Sequence, residues 1–462
     1  MSAIAEIGIR NLFGHLNYRI PLNMTDNITI IHGPNGCGKT WILQIVNAVF
    51  SLNYSFIRTA PFDEIEFKFR DGGHFIVRRD VEERPAWYQQ ALANIDWPSP
   101  SSVKLIFTYS SHRTKKPKEF FLPGERDRLS TSRQIPLIIE REIPELDRIG
   151  SREWLDESRG EVLTFEGVRR IYGHRLPWIA TLKTTPNWLS QLTERIDINF
   201  IQSQRLIRMP IPRSRHEPSS RRDITEMVEH DSQELAEKIQ NTLSKSAGIS
   251  QSMDRTFPIR LMSGNYTKIE SEPALREELN KINLKRRSLY AAGLLDQEEE
   301  VPLPEKTMDD IEKNVLSLYR QDVEKKLHVF DYLQKRISTL MDLINSKFQP
   351  HGKYLVINRN QGFLLKTDVS GGRIFRPAEL SSGEQQQLVL FYELLFKTSS
   401  KSLVLIDEPE ISLDVGWQRR FLDDLTKVIK LDRYSILMAT HSPQIIHNRR
   451  DLTVPLSGGV LE

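Results

Sequence analysis

The sequence predicts an α/β fold, a glycine-loop head that carries extra antiparallel sheet and is interrupted by a helical arm. Three observations predict it. Near the N-terminus an apolar run, NITIIH (27–32), leads into GPNGCGKT (33–40) and then into the helical run WILQIVNAVF. Near the C-terminus, SLVLIDEP (402–409) and SILMATHSP (435–443) each carry an apolar strand into polar or charged residues. Between them, alternating strands give way to two long apolar stripes at helical spacing.

The bulk numbers narrow the class. A chain of 462 residues can bury a large core and form two or three domains. Lys+Arg is 64 and Asp+Glu is 61, so the formal charge of +3 points to no polyanionic partner by itself. One cysteine forbids an internal disulfide and fits a reducing cytoplasm. No apolar window approaches the ~18 residues a membrane span needs. The opening MSAIAEIGIRNLFG lacks the pattern of a secretory leader. The expectation is a soluble cytoplasmic protein with no membrane segment.

Strand, glycine loop and helix at 27–50 form the context in which G-x-x-x-x-G-K-[ST] binds phosphate. Gly33, Pro34, Asn35, Gly36, Cys37 and Gly38 would wrap the phosphates, with glycines where backbone N–H groups must turn inward. Lys39 would sit on the β- and γ-phosphates, and the Thr40 hydroxyl would ligate Mg²⁺. Cys37 reads as a small side chain at a permissive position. The sharper alternative is a thiol activated by Lys39 and the helix N-terminus.

Residues 60–80 alternate and turn at Asp71-Gly72-Gly73, a hairpin signal, and KLIFTYS (104–110) reads as a further strand. Residues 111–160 are charged and irregular and read as a loop or a small subdomain on the surface. IDINFIQSQRL (196–206) is an apolar strand running into Gln202, Ser203 and Gln204. Gln204, ahead of Gln202, is the expected glutamine-loop residue, contacting nucleotide and metal; an ordinary polar strand end competes with that reading.

MPIPRSRHEPSSRR (209–222) lacks periodicity. Together with Arg205 and Arg208 it is the most basic stretch. It could contact nucleic acid, but it has no aromatics for base stacking, and a solvated loop is the favoured reading. Helices are expected over 223–250, 272–292 and 307–348. The last is about 42 residues, roughly 63 Å at ~1.5 Å per residue. Its stripe from Leu316 to Phe348 matches Leu275, Leu279, Ile282 and Leu289, so the two would pack as an antiparallel pair. KYLVIN and GFLLKT then form a hairpin around Arg359-Asn360-Gln361.

LSSGEQQQL (380–388) precedes a helix. Ser381, Ser382, Gly383 and Glu384 could simply cap it, or could present a hydroxyl and N–H groups to a γ-phosphate. In LVLIDEP, Asp407 would hold the metal shell and Glu408 would act as general base. His441 stands one strand later, placed to touch the γ-phosphate, and Asp414 follows the two acids at 412–414.

These motifs, in this order and with roughly 340 residues between the first two, resemble the ABC-type ATPases of the SMC, RecF and OLD group. LSSGEQQ and EPEISLD are similar to the RecF and OLD branch rather than to transporters. The resemblance implies ATP and Mg²⁺ as ligands, catalysis by Lys39, Glu408 and His441, and a signature loop that completes the site of a neighbouring copy. Asp414 would face that neighbour. It implies a head-to-head dimer driven by ATP, extended to a higher homo-oligomer. The expected boundaries are 1–222 for a first ATPase lobe, 223–350 for the arm and 351–462 for a second lobe.

Within the branch, IAEIGIRNLFGHLNYRIPL, FIQSQRL and the short tail after THSP resemble the stand-alone ATPase subunits of PARIS anti-phage systems, with the Septu ATPase subunits next. The sequence ends 21 residues after His441, so no nuclease domain is expected there. The resemblance implies a sensor and scaffold that holds a separate toxic effector, a TOPRIM-type nuclease, and releases it on a phage-encoded trigger. The rival expectation is a RecF- or SMC-like DNA clamp in repair.

Overall fold

The computed structural model describes residues 3–81, 103–111, 116–122, 143, 145–148, 153–156, 161–172, 185–203, 227–264, 266–268, 271–295, 307–368, 372–400, 402–411 and 413–456. These fall into two compact units. One holds the described residues before 204 and from Thr398 onward; the other holds those from 227 to Lys397.

The chain enters the first unit as β1 (Ile4–Leu12), β2 (Leu16–Pro21), β3 (Ile28–His32), α1 (Lys39–Phe50), α2 (Tyr54–Thr59), β4 (Glu64–Phe69), β5 (His74–Val81), β6 (Val103–Ser110) and β7 (Lys118–Leu122). It continues through β8 (Leu146–Arg148), β9 (Glu153–Asp156), β10 (Glu161–Thr164), α3 (Phe165–Tyr172), α4 (Asn187–Glu194) and β11 (Ile198–Ile201). The second unit contains α5 (Met227–Ser263), α6 (Glu272–Ala291), α7 (Asp310–His328), α8 (Asp331–Phe348), β12 (Lys353–Asn358), β13 (Gly362–Thr367), β14 (Ile374–Phe375) and α9 (Ser382–Tyr392). The chain returns to the first unit for β15 (Leu403–Asp407), α10 (Val415–Asp432), β16 (Ser435–Thr440), α11 (Pro443–Ile446) and β17 (Thr453–Pro455).

Two sheets share the core of the first unit. One is wholly parallel, in the order β11-β15-β16-β3-β17. Every residue of β15 is buried, as the continuous apolar run LVLID requires of a strand covered on both faces. The other sheet is antiparallel, in the order β2-β1-β4-β5-β6-β7. Its strands alternate, so Ile7, Ile9, Ile65, Phe67, Phe75, Val77, Leu105 and Phe107 all point inward and are fully buried. Helix α1 lies in the same core as both sheets. Its Phe50 ring meets Phe67 edge-on at 4.9 Å. Ile42, Leu43, Ile45, Val46 and Val49 are completely buried, each contributing about 2 kcal/mol of apolar burial. The start of α1, where the glycine loop ends, is therefore anchored from both sides.

One segment resolves an open expectation, and two differ from theirs. Of the two readings of 111–160 the loop gives way to the small subdomain: β8 and β9, with β10 just beyond, form an antiparallel meander, and Trp154, Leu163 and Val168 with their neighbours make a small separate core. The helix expected to stop at 250 runs to Ser263 with Pro258 inside it. Pro258 lacks the N–H that would bond Asp254 O; in the same turn the Thr256 hydroxyl donates to Ser252 O at 3.0 Å and Arg260 Nη2 to Met253 O at 3.0 Å. The helix expected over 307–348 is two helices, α7 and α8. Val329 and Phe330 stay in the right-handed region, but Phe330 N–H bonds three residues back, to Leu327 O at 3.1 Å. Phe330 is 2 % exposed, so the apolar stripe survives the break.

The boundary expected at 350/351 also differs from the compact units. The hairpin β12–β13 and the helix α9 cluster with the helical segment, and only the residues from Thr398 onward join the first unit. Contacts explain this. α5 packs along β13, and the Ser232 hydroxyl donates to Gln361 O at 2.7 Å and accepts from Phe363 N–H at 3.0 Å. Lys397 binds the fully buried Asp231 at 2.7 Å.

Candidate nucleotide site

Three parallel neighbours, β3, β15 and β16, end at one edge of their sheet. Their register sets Asp407 beside Ala439 and Thr440 beside His32. The glycine loop, the two acids and His441 therefore converge where ligands bind in open parallel sheets.

The loop 33–40 exposes Pro34, Asn35 and Gly36 and buries Cys37, Gly38 and Lys39. Gly38 has φ +87°, and a Cβ there would lie 2.5 Å from Leu12 Cδ2. The β1–β2 turn packs against the loop this closely because no side chain intervenes. Tyr18 on β2 adds a second restraint, donating its hydroxyl to Cys37 O at 3.0 Å. Burial, then Cys37, pushes the Tyr18 hydroxyl up to about 12, so it remains a donor. Cys37 Sγ lies 3.6 Å from Lys39 Nζ, inside the wall of the loop.

Lys39 is 5 % exposed. Its ammonium donates to Gly33 O at 3.0 Å and Pro34 O at 3.1 Å, and lies 3.3 Å from His441 Nδ1, 402 positions away in sequence. The Thr40 hydroxyl donates to Asp407 Oδ1 at 3.0 Å, across 367 positions. Burial pushes the Asp407 carboxyl up to about 6; Glu408 and Glu410 add to this, and the Thr40 hydroxyl and Lys39 oppose it. Glu408 has φ +43°, a strained value for a residue with a side chain, and its N–H donates to Ala439 O at 2.9 Å. The strand-end turn thus presents Glu408 Oε1 3.7 Å from His441 Nε2. Asp414 caps α10, accepting from Gly416 N–H at 2.7 Å, and is itself exposed.

The signature loop belongs to the other unit. Ser381 caps α9 in a reciprocal box with Glu384. Ser381 and Ser382 are exposed, whereas Glu384 is 5 % exposed. Both Glu384 oxygens engage Lys353 Nζ, at 2.9 and 3.0 Å, and Oε2 also accepts from the Ser381 N–H and hydroxyl at 2.9 Å. Burial pushes this carboxyl up, but Lys353 and Ser381 outweigh it and hold it below the usual carboxylate range. Glu384, expected to touch nucleotide, holds the serine loop of its own chain through these partners. Lys353 had no signal in the sequence, and neither did Tyr18.

Gln204 and the basic stretch 205–222 lie outside the described residues. Gln202 is described, exposed just past the end of β11, which is hydrogen-bonded to β15.

A family model described as "AAA domain, putative AbiEii toxin, Type IV TA system" matches residues 28–447, from β3 to just past α11. The chain belongs to this AAA-domain family. The AAA-domain protein is also similar to ABC-type ATP-binding proteins. It is 36 % identical over 87 residues to the lipoprotein-releasing system ATP-binding protein LolD of Novosphingobium aromaticivorans, covering 19 % of this chain and 37 % of that protein. It is 33 % identical over 135 residues to the cell division ATP-binding protein FtsE of Mycobacterium tuberculosis, covering 29 % and 56 %. The match thus spans between about a third and a little over half of those relatives' length. Among solved structures, the Smc head domain from Pyrococcus furiosus, bound to the C-terminal domain of ScpA, aligns over 97 % of this chain and 92 % of its own at 13 % identity, with a TM-score of 0.34. The SMC head domain from Thermotoga maritima aligns over 98 % and 94 % at 10 % identity, with a TM-score of 0.30. The glycine loop follows β3 of the five-stranded parallel sheet, and the chain adds a six-stranded antiparallel sheet and a set of helices to it. Among the described residues, no helix of this AAA-domain protein is long and apolar enough to cross a membrane.

Proposed function

We propose that this chain binds and hydrolyses ATP at the edge formed by β3, β15 and β16, and that a second copy completes the site. One observation carries the reading. Thr40 meets Asp407 and Lys39 meets His441, although each pair comes from opposite ends of the sequence. Thr40 Oγ1 and Asp407 Oδ1 are two hard oxygens 3.0 Å apart, which fits a Mg²⁺ ion exchanging into the space between them. Bound there, the ion would neutralise charge on the β- and γ-phosphates.

The chain's own residues supply the rest. Lys39 exchanges its loop carbonyls for phosphate oxygens. Glu408 takes a proton from the attacking water as its oxygen bonds to the γ-phosphorus and the bond to the β-phosphate oxygen breaks. His441, next to both Lys39 and Glu408, hydrogen-bonds the γ-phosphate. Ser381 and Ser382, exposed at the start of α9, serve the nucleotide of the partner copy.

The wider role is that of sensor and scaffold in anti-phage defence, holding a separate toxic effector, a TOPRIM-type nuclease, and releasing it on a phage protein. The family description, which names a putative AbiEii toxin of a type IV TA system, favours a defence-linked role over a DNA clamp. The test is ATP turnover by the purified chain with and without DNA, alongside co-expression with the protein encoded beside it. A stable complex with that neighbour and turnover indifferent to DNA are expected. Turnover stimulated by DNA, with binding that collapses as salt rises, would replace the defence role with the clamp.

A further inference from the structure

Two hydrogen-bonded bridges tie the segment before α10 to the turn that carries His441. On one side, Leu413 N–H donates to Glu410 O at 2.9 Å, and Glu410 Oε1 accepts from His441 N–H at 2.7 Å. On the other side, Leu413 O accepts from Gln418 Nε2 at 2.9 Å, and Gln418 Oε1 accepts from the Ser442 hydroxyl at 2.6 Å. Both backbone polar groups of one buried residue therefore reach His441-Ser442 through a single side chain each. A third link runs alongside, from Arg419 Nε to Gln444 Oε1 at 2.9 Å.

Gln418 plays no part in the site described above, and Glu410 enters it only through its charge near Asp407. The His441 ring sits 3.3 Å from Lys39 Nζ and 3.7 Å from Glu408 Oε1. Small displacements of its backbone are enough to make or break both contacts, and the two bridges fix that backbone. Leu413 is followed at once by the exposed Asp414, so the same bridges begin one residue from the surface.

We propose that Glu410 and Gln418 are positioning residues for His441, and that through Leu413 they make its placement respond to whatever docks on the 413–414 segment. The docking partner is the second copy of the chain, which rests on the reading under Proposed function. Losing bridges of this kind lowers a rate by about five- to tenfold.

The first measurement needs no turnover and no dimer. Histidine-selective isotope labelling gives the ring signal of His441, assigned by its loss in His441→Ala. Gln418→Met and Glu410→Leu are each expected to shift that signal while the other histidine signals and the thermal midpoint stay near wild type. An unmoved His441 signal in both variants overturns the proposal. The second measurement is steady-state ATP hydrolysis. Gln418→Met and Glu410→Leu should lower kcat about fivefold or more with KM changed less than about twofold. Glu410→Gln, which keeps a carbonyl acceptor for the His441 N–H, should recover most of the rate lost in Glu410→Leu. An unchanged kcat, or no recovery in Glu410→Gln, overturns the positioning role. If the wild-type chain hydrolyses no ATP, the nucleotide-site reading falls, and the ring signal still decides the coupling separately.

Discussion

Asp407→Asn should stabilise the nucleotide-free protein while destroying its metal site. Asp407 is 4 % exposed, and burial pushes its carboxyl up to about 6 against an ordinary value of 3.8. The folded chain thus holds this proton more tightly than the unfolded chain does. Stability from this group rises as pH falls through 6, and the gain is complete below 3.8. Integrating the two titrations gives about 1.4 kcal/mol between pH 8 and pH 5, and about 2.5 kcal/mol by pH 4. Asparagine keeps an oxygen for the Thr40 hydroxyl and carries no charge. At pH 8 the variant should therefore be more stable by up to about 3 kcal/mol. The assay is urea denaturation of both proteins from pH 8 to pH 4 without nucleotide or divalent ions, taking wild type minus variant so that other groups cancel. The difference should narrow as pH falls. A difference that stays flat, or an asparagine variant that is less stable at pH 8, would refute the burial argument.

Glu408→Gln should bind ATP, accumulate as an ATP-held dimer and lose turnover by at least about a hundredfold, seen by light scattering and phosphate release; normal hydrolysis would remove Glu408 as the base. Lys353→Met should cost the fold about 3 kcal/mol by leaving the buried Glu384 carboxylate unpaired, measured as a lower urea midpoint at pH 8. Because Glu384 lies below the usual range, the stability it contributes is present at pH 8 and lost as pH falls through its folded value. The Lys353→Met deficit should therefore shrink in acid. Gly362→Ala should cost more than about 3 kcal/mol, since φ is +77° and the new Cβ would lie 1.8 Å from Ser232 O; a urea midpoint near wild type would mean that α5 does not pack on β13 as described.

The parts of the site legible in the sequence share one property. Each is a strand end whose residue types have few other uses: a glycine loop closed by Lys39 and Thr40, paired acids at 407–408, and a histidine after an apolar run. That these ends meet was an expectation from motif order, and strand adjacency realises it, with β16 between β15 and β3. Helix continuity was harder to read. Leu327, Phe330 and Leu333 keep three-residue spacing across the break between α7 and α8, so periodicity passes over it. The helix expected over 223–250 runs on to Ser263 through Pro258, so its end is not marked by a change in periodicity. β8, β9 and β10 are only three or four residues long, too short to show alternation. The partners Lys353, Glu410, Gln418 and Tyr18 were invisible because ordinary polar residues acquire these roles only through tertiary contact.

The central claim is that each nucleotide is held by Lys39 of one copy and the serine loop of another, and mixing two inactive variants tests it most directly. Lys39→Ala keeps the serine loop, and Ser381→Arg keeps the phosphate loop. Each alone should be inactive. Combined in equal amounts, random pairing rebuilds one intact site in half of the dimers, giving about a quarter of wild-type ATPase. Activity that never reappears on mixing, although the two proteins associate, would contradict the account.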